Sequence, residues 1–244
     1  MSELAVTQTT TVTAGAHVLD DLTWTALAGR QSRFAVGNER VLRFSAPVAP
    51  FGAMIDTSPA SFDALRDVID EHGPVALTTG AEVVPPTGFT VVRQAKLLQM
   101  VWQREPDPAP TLDYIHLEAR DVPEMLALTA ATEPGPFGPR TVELGDYLGV
   151  RRGGKLIAMA GERMKIDGYT EISAVCVDAA FRGQGLAVGL MKLHIARLCA
   201  RGETPFLHVL TSNRGAASIY EALGFVVRRE LSLTVLGNAE AGSA

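Results

Sequence analysis

Cysteine is nearly absent from this chain: 244 residues hold two, Cys176 and Cys199. Both sit inside apolar stretches, and two such thiols make neither a disulfide framework nor a thiolate metal cluster, so they read as buried thiols. Long apolar runs are missing too. Nothing approaches the roughly 20 residues that cross a bilayer, and the amino end carries Glu3 and a series of threonines where a leader would set basic residues before an apolar stretch. The expectation is a cytoplasmic chain that neither spans nor binds a membrane. A basic excess is lacking as well: 22 Lys and Arg against 27 Asp and Glu leave a net charge of -5. Nucleic acid is therefore not the expected partner, although a local basic patch can still hold a phosphorylated ligand. Of the five histidines, only His116 and His208 lie in strong strand patterns, with no His-x-x-x-His or Cys-x-x-Cys spacing beside them. No metal is expected.

What is present is an ordinary folding composition, 47% hydrophobic and 20% charged, which excludes wholesale disorder and fibrous classes. Residues 1–16, rich in threonine, show no period and read as a loose end. A helix is expected from Val18 to Arg30, a strand from Arg40 to Phe44, a helix from Ser61 to Glu71 with Phe62, Leu65, Val68 and Ile69 on one face, and a strand from Val75. Phe89–Arg93 and Lys96–Gln103 read as two strands that pair. The segment Glu105-Pro-Asp-Pro-Ala-Pro110 reads as a stiff linker, dividing an N-terminal α/β lobe, 17–104, from a C-terminal domain, 111–244. In the latter the order is regular: strand Tyr114–Glu118, helix Val122–Thr132, a Pro/Gly-rich loop 133–140, strands 147–151 and 155–164 joined at Gly153–Gly154, strand 171–177, and a helix from Gly185 to Ala200. The class is mixed α/β.

The turn between that last strand and helix carries the chemistry. A helix N-terminus presents backbone N–H groups without intrahelical partners, and the helix dipole adds positive potential there. In Arg182-Gly-Gln-Gly-Leu-Ala187, Gly183 and Gly185 take away side chains that would hold a diphosphate off those groups, and Ala187 keeps the first helical turn slim. An ordinary glycine-rich connection is the competing reading. Two rival phosphate loops fit poorly: position 188 is Val, with the next glycine at Gly189, so the dinucleotide fingerprint fails, and no Gly-Lys-Ser/Thr follows.

The stretch Val175-Cys-Val-Asp-Ala-Ala-Phe-Arg-Gly-Gln-Gly-Leu-Ala187 resembles the acyl-CoA loop of the GNAT superfamily of N-acyltransferases, Arg/Gln-x-x-Gly-x-Gly/Ala, with Arg182, Gly185 and Ala187 at its signature positions. Downstream, Asn213-Arg-Gly-Ala-Ala-Ser-Ile-Tyr220-Glu-Ala-Leu-Gly-Phe225 resembles a second signature of that superfamily, Asn-x-x-Ala-x-x-x-Tyr ending in Gly-Phe. The stretch from Phe206-Leu-His-Val209 through Gly224-Phe225 is most similar to the subgroup that includes glycine N-acyltransferases.

The resemblance spans roughly Asp113 to Leu236 and implies a GNAT fold there, with the N-terminal lobe read as a possible degenerate copy. It further implies a V-shaped opening between strands 171–177 and 206–210, where CoA lies with its pantetheine arm on the main chain of Val175–Cys176–Val177, its diphosphate on Arg182, Gly183, Gln184, Gly185, Leu186 and Ala187, and Asn213 beside the arm. The activity implied is transfer of an acetyl group from acetyl-CoA to a primary amine by direct attack in a ternary complex. Tyr220 would be the acid for the departing thiolate and Glu171 the base, with a pKa raised by partial burial; Glu133 is the alternative base. A core tyrosine, a strand-end carboxylate and a helix cap are the competing readings at Tyr220, Glu171 and Asn213. At the level of function, the alternatives are a non-catalytic acyl-CoA sensor and an interaction module with a vestigial loop. The amine acceptor, a small molecule or a peptide, is left open.

Overall fold

The computed structural model describes residues 17–106 and 110–239; the loose end expected over residues 1–16 and positions 107–109 of the expected linker lie outside them. The elements, in chain order, are α1 (Leu22–Ala28), β1 (Ala35–Gly37), β2 (Val41–Phe44), β3 (Phe51–Met54), α2 (Pro59–His72), β4 (Val75–Thr79), β5 (Phe89–Trp102), β6 (Ile115–Leu117), α3 (Val122–Thr132), β7 (Tyr147–Arg152), β8 (Lys155–Ile166), β9 (Tyr169–Val177), α4 (Leu186–Ala200), β10 (Thr204–Leu210), α5 (Arg214–Leu223) and β11 (Phe225–Asn238). The fold is mixed α/β around one sheet, in the order β1-β2-β3-β4-β11-β5-β10-β9-β8-β7-β6.

All strand pairs are antiparallel except β3 with β4 and β9 with β10. Each parallel pair is bridged by a helix, α2 in the first case and α4 in the second, as parallel neighbours require. The strand pattern thus occurs twice, and each half is completed from the other: β5, early in the chain, is held between β10 and β11, and β11, last in the chain, is held between β4 and β5.

That exchange corrects one expectation. Phe89–Arg93 and Lys96–Gln103 are not a hairpin but one continuous strand, β5, because its partner is the 14-residue β11 and not itself. Nothing between Arg93 and Lys96 supplies a turn: Gln94 and Ala95 stay in register with Thr234 and Leu233. The helix expected from Val18 begins only at Leu22, after a turn in which the His17 backbone N–H donates to the Asp20 carboxylate. Where local chemistry is strong the agreement is close. Ser58 caps α2 by accepting from the Ser61 backbone N–H at 3.3 Å, and Gly73 ends it at φ 80°.

The two faces of the sheet are unequally covered. Helix α4 packs Met191, Ile195 and Leu198 against Met100, Ile172, Leu207 and Phe225 on one face, and α2 covers Val75, Leu77 and Leu236 with Phe62, Leu65 and Val68. On the other face α1 lies over Phe44, Phe51, Met164 and Phe206, and α3 over Tyr147, Met159 and Cys176. Between α1 and α3 the sheet is left open, and the cavity described below lies there.

One core residue makes the fold acid-sensitive. His194 on α4 is fully buried, with its Nε2 3.1 Å from the Ala160 carbonyl and its Nδ1 without a partner. Burial pushes its pKa from 6.5 down to about 4. The fold therefore holds a neutral ring, whereas the unfolded chain takes up a proton as pH falls below 6.5, so stability drops between pH 6.5 and 4. At pH 5 the expected loss is on the order of 2 kcal/mol. Thermal melts at pH 7, 6 and 5 should show it, with a flatter dependence in His194→Gln; equal slopes for both proteins would assign the acid sensitivity elsewhere.

Candidate active site

The anion-binding turn forms as its residues demand. Gly183 and Gly185 both have positive φ, 76° and 74°, which L side chains rarely adopt. A Cβ added at either would meet no protein atom within 4 Å, so the glycines serve backbone conformation and leave open space in front of the turn. Gly185 N-caps α4 without any side-chain cap. The first intrahelical bond at this end runs from the Gly189 N–H to the Gly185 carbonyl, so the N–H groups of residues 186–188 face outward as orphan donors. Arg182 is held over the strand end by its Nε–H, 3.4 Å from the Val177 carbonyl. Asp178 shapes the approach: its carboxylate accepts from the Ala180 N–H at 3.0 Å and pairs with Lys155 at 2.7 Å.

Strands β9 and β10 pair only from Tyr169/Thr204 to Glu171/Phe206. Beyond that point they part, and Ala174, at φ 52°, kinks β9 where the register against β8 also shifts. The V-shaped opening implied by the resemblance is therefore present. A cavity of about 1560 Å³ runs through it, continuous from the turn to the open face beneath α1. Val175, Cys176, Val177, Arg182, Gly183, Gly185, Leu186, Ala187, Asn213 and Tyr220 all line it, as does Glu133. Of the loop residues expected to hold the diphosphate, Gln184 alone is not on this wall; it is exposed to solvent.

Tyr220 sits on α5 with its ring edge-on to Phe225, centroids 6.2 Å apart. No hydrogen bond to its hydroxyl is made by the described residues, and burial raises its pKa to about 12, so the phenol stays protonated and its O–H is free to donate. Asn213 caps α5, its side-chain oxygen accepting from the Ala216 N–H at 3.2 Å, so the capping reading holds at this residue, which also borders the cavity. Cys176 faces the same space, but burial pushes its thiol up to about 11; at neutral pH it is no nucleophile.

The surroundings of Glu171 differ from the partly buried site with a raised pKa that was expected. A base of this kind needs partial burial and a raised pKa; instead the carboxylate is wholly buried and held low. Burial alone would raise it, but Arg163 grips it through two hydrogen bonds, Nε–Oε2 at 2.9 Å and Nη2–Oε1 at 2.5 Å, and His208 Nδ1 lies 2.8 Å from Oε1. An ionised carboxylate so satisfied is a poor proton acceptor. Glu133, the alternative, is an exposed left-handed residue (φ 49°) closing α3 at the rim.

The structure also brings forward residues that sequence reasoning did not single out for the site: Gln99, Arg163 and His208 all line the cavity floor. Among the described residues no group of three or more His, Cys, Asp or Glu could hold a metal ion. A polar residue facing inward from a strand as apolar as Pro205-Phe-Leu-His-Val-Leu210 was the available signal. His116, by contrast, lies on edge strand β6 against Tyr114, away from the cavity. Among the described residues no helix is long and apolar enough to cross a membrane.

A family model described as FR47-like protein matches residues 147–233, from β7 into β11. Among solved structures, a GNAT-family protein from Novosphingobium aromaticivorans is 39% identical, with a TM-score of 0.83 over 92% of this chain and 100% of its own. A GCN5-related N-acetyltransferase from Kribbella flavida shares the fold at 17% identity and a TM-score of 0.61, over 93% of this chain and 97% of its own. A GCN5-related N-acetyltransferase-like protein from Streptococcus suis does so at 16% and 0.55, over 89% and 92%. No curated protein matches. The chain belongs to the GNAT family of acetyltransferases.

Proposed function

We propose that this protein moves an acetyl group from acetyl-CoA to a primary amine by direct attack in a ternary complex, within the subgroup that includes glycine N-acyltransferases. The observation that carries the reading is the single cavity joining the anion-binding turn, through the opening between β9 and β10, to a second compartment on the opposite face of the sheet. Two substrates can meet there without a covalent enzyme intermediate, and the high thiol pKa of Cys176 is consistent with that. On this reading Arg182 and the orphan N–H groups of residues 186–188 hold the diphosphate, the splayed backbone at Val175–Val177 takes the pantetheine arm beside Asn213, and Tyr220 hydrogen-bonds the departing sulfur. Residues 17–104 form a lobe, a degenerate copy of the C-terminal domain, whose β5 and α1 wall the acceptor compartment.

The acceptor compartment is lined by Phe51, Leu97, Leu231, Leu233 and Val235, with Arg93 at its edge. Arg93 has no ion-pair partner among the described residues, so amino acids head the panel of amines to be screened: a carboxylate there would find a cation waiting.

Calorimetric titration with acetyl-CoA tests the donor site. Binding is expected in the intact protein and a loss of at least tenfold in Arg182→Glu, which sets a carboxylate beside the diphosphate. Gly185→Glu should abolish binding, but it also strains a residue at φ 74°, so the Arg182 variant is the cleaner arm. An intact protein that binds no acetyl-CoA would sink the reading.

A further inference from the structure

Among the described residues, no titratable group lining the cavity is placed to take a proton from an incoming amine. Arg93, Arg163 and Arg182 can only donate. Cys176 and Tyr220 hold their protons, since burial raises both. The Asp20 carboxylate, ahead of α1, is paired with Arg228 and, at 2.6 Å, with Arg229. His208 has both ring nitrogens occupied. Arg228 Nη1–H donates to Gln99 Oε1 at 2.6 Å, which turns the Gln99 NH2 group to His208 Nε2 at 3.1 Å, and His208 Nδ1 lies 2.8 Å from Glu171 Oε1. Glu133 stands exposed at the rim, and a carboxylate becomes a base near pH 7 only through burial or a neighbouring like charge. An acceptor must then arrive as the neutral amine, its extra proton already left in water. At pH 7 roughly a tenth of peptide α-amino groups are neutral, against about one in 2500 of lysine-like alkyl amines. A weakly basic amine is favoured by about two orders of magnitude.

Geometry selects among such amines. The fork of the opening, closed by the Glu171–Phe206 pair, lies beside His208, which Gln99 of β5 opposes in register. From there Gln99, Leu97 and Arg93 line the cavity along β5, and Leu231, Leu233 and Val235 line it along β11, with Leu231 opposite Leu97 and Val235 opposite Arg93. The wall between fork and Arg93 is thus an aliphatic track, about 20 Å long at the rise of a strand. Arg93 ends it: exposed at the outer edge, it makes no hydrogen bond or ion pair among the described residues. In a free α-amino acid the amine and the carboxylate share one carbon, so one molecule cannot reach both ends. An extended peptide advances by the same rise as the strand, so about four to six residues span roughly 13–20 Å. Alternate side chains pack on the wall, and the open side between α1 and α3 leaves the backbone polar groups within reach of water.

We propose that the acceptor is an extended apolar peptide of about four to six residues, acetylated on its α-amino group at the fork and held at Arg93 by its terminal carboxylate. This rests on the N-acetyltransfer reading above and names its acceptor. The neutral amine nitrogen bonds to the thioester carbonyl carbon, the C–S bond breaks, and the thiolate takes the Tyr220 proton. The nitrogen gives one proton to cavity water, and water returns one to the Tyr220 phenolate. The products are the acetylated peptide and free thiol, and the enzyme is restored. Arg93 binds the far end of the acceptor and takes no part in bond breaking.

Thiol release from acetyl-CoA is followed with the peptide Ala-Val-Ala-Leu-Leu as free acid and as carboxyl-terminal amide, with leucine, and with ω-aminododecanoate. The free acid should give the highest kcat/KM. Its amide should show a KM at least tenfold higher at unchanged kcat. The ω-amino acid matches it in reach but should lag at least a hundredfold at pH 7, because its amine is charged. Arg93→Ala, an exposed substitution, should keep its melting temperature and acetyl-CoA affinity and raise the KM of the acid to that of the amide. With saturating peptide, kcat should stay flat between about pH 6 and 9 while KM falls as pH rises toward about 8, since only the neutral amine binds. An ascending limb in kcat that Glu133→Gln removes would put a base on the enzyme and overturn the proposal. So would leucine performing as well as the peptide, or an Arg93→Ala variant that still distinguishes acid from amide. If acetyl-CoA binds but no acceptor releases thiol, the transferase reading fails. Calorimetric titration of the peptide acid into CoA-loaded protein then decides the acceptor site by itself: binding at least tenfold weaker in Arg93→Ala supports it, and equal binding refutes it.

Discussion

Tyr220→Phe should lower kcat by about a thousandfold while leaving acetyl-CoA affinity within a factor of two. The substitution removes one hydroxyl that makes no hydrogen bond to the described residues, so neither the packing against Phe225 nor the α5 backbone has reason to change. A phenol at about 12 is a weak acid for a thiolate in water. Burial, which raises the Cys176 thiol in the same wall, would likewise make a thiolate leaving there a stronger base than in water and so favour the transfer. The loss should appear in single-turnover kinetics, since it affects the bond-breaking step and not product release. Retention of full rate would reduce Tyr220 to a core tyrosine.

Glu171→Gln should destabilise the fold by about 3–5 kcal/mol, the cost of leaving a buried charge unpaired; for a chain of this length that corresponds to a fall of roughly 10 °C in melting temperature. The Arg163 guanidinium is almost wholly enclosed, stacked over the Phe51 ring at 4.7 Å, and among the described residues its one ion-pair partner is Glu171. The sign with pH is fixed by the direction of the shift: the folded state holds Glu171 below its ordinary value. Its contribution is therefore complete above the unfolded carboxylate pKa, about 4.3, and is lost only as pH falls through the depressed folded value. Melting curves of intact and variant proteins at pH 7 should differ by that full amount. Equal melting temperatures at pH 7, with an acid limb moved in the rate profile, would instead restore Glu171 itself as the titrating base.

Much of the donor side was legible because its signals are local. A turn that needs positive φ at two positions declares itself through Gly183 and Gly185; the helix after it follows from Leu186, Leu190 and Leu193; and Asn213 caps α5 from the adjacent position. The acceptor side was not. Gln99 and His208 are 109 positions apart, Arg228 and Gln99 129, and Asp20 and Arg228 208, and no periodicity reports a contact of that kind. For the same reason β5 was read as a hairpin: its true partners, β10 and β11, arrive more than a hundred residues later.

The sequence by itself determined that this chain folds as mixed α/β, that it carries an anion-binding strand–turn–helix at residues 182–187, and which family that turn resembles, since backbone conformation and capping are decided by neighbours. Only the tertiary structure decided the protonation chemistry. Glu171 looks like any strand carboxylate until Arg163 closes on it, and His208 looks like any core histidine until Gln99 and Glu171 take opposite sides of its ring. A side chain's proton affinity is set by the charges and donors that folding places within about 4 Å of it, and here those neighbours come from the far ends of the chain.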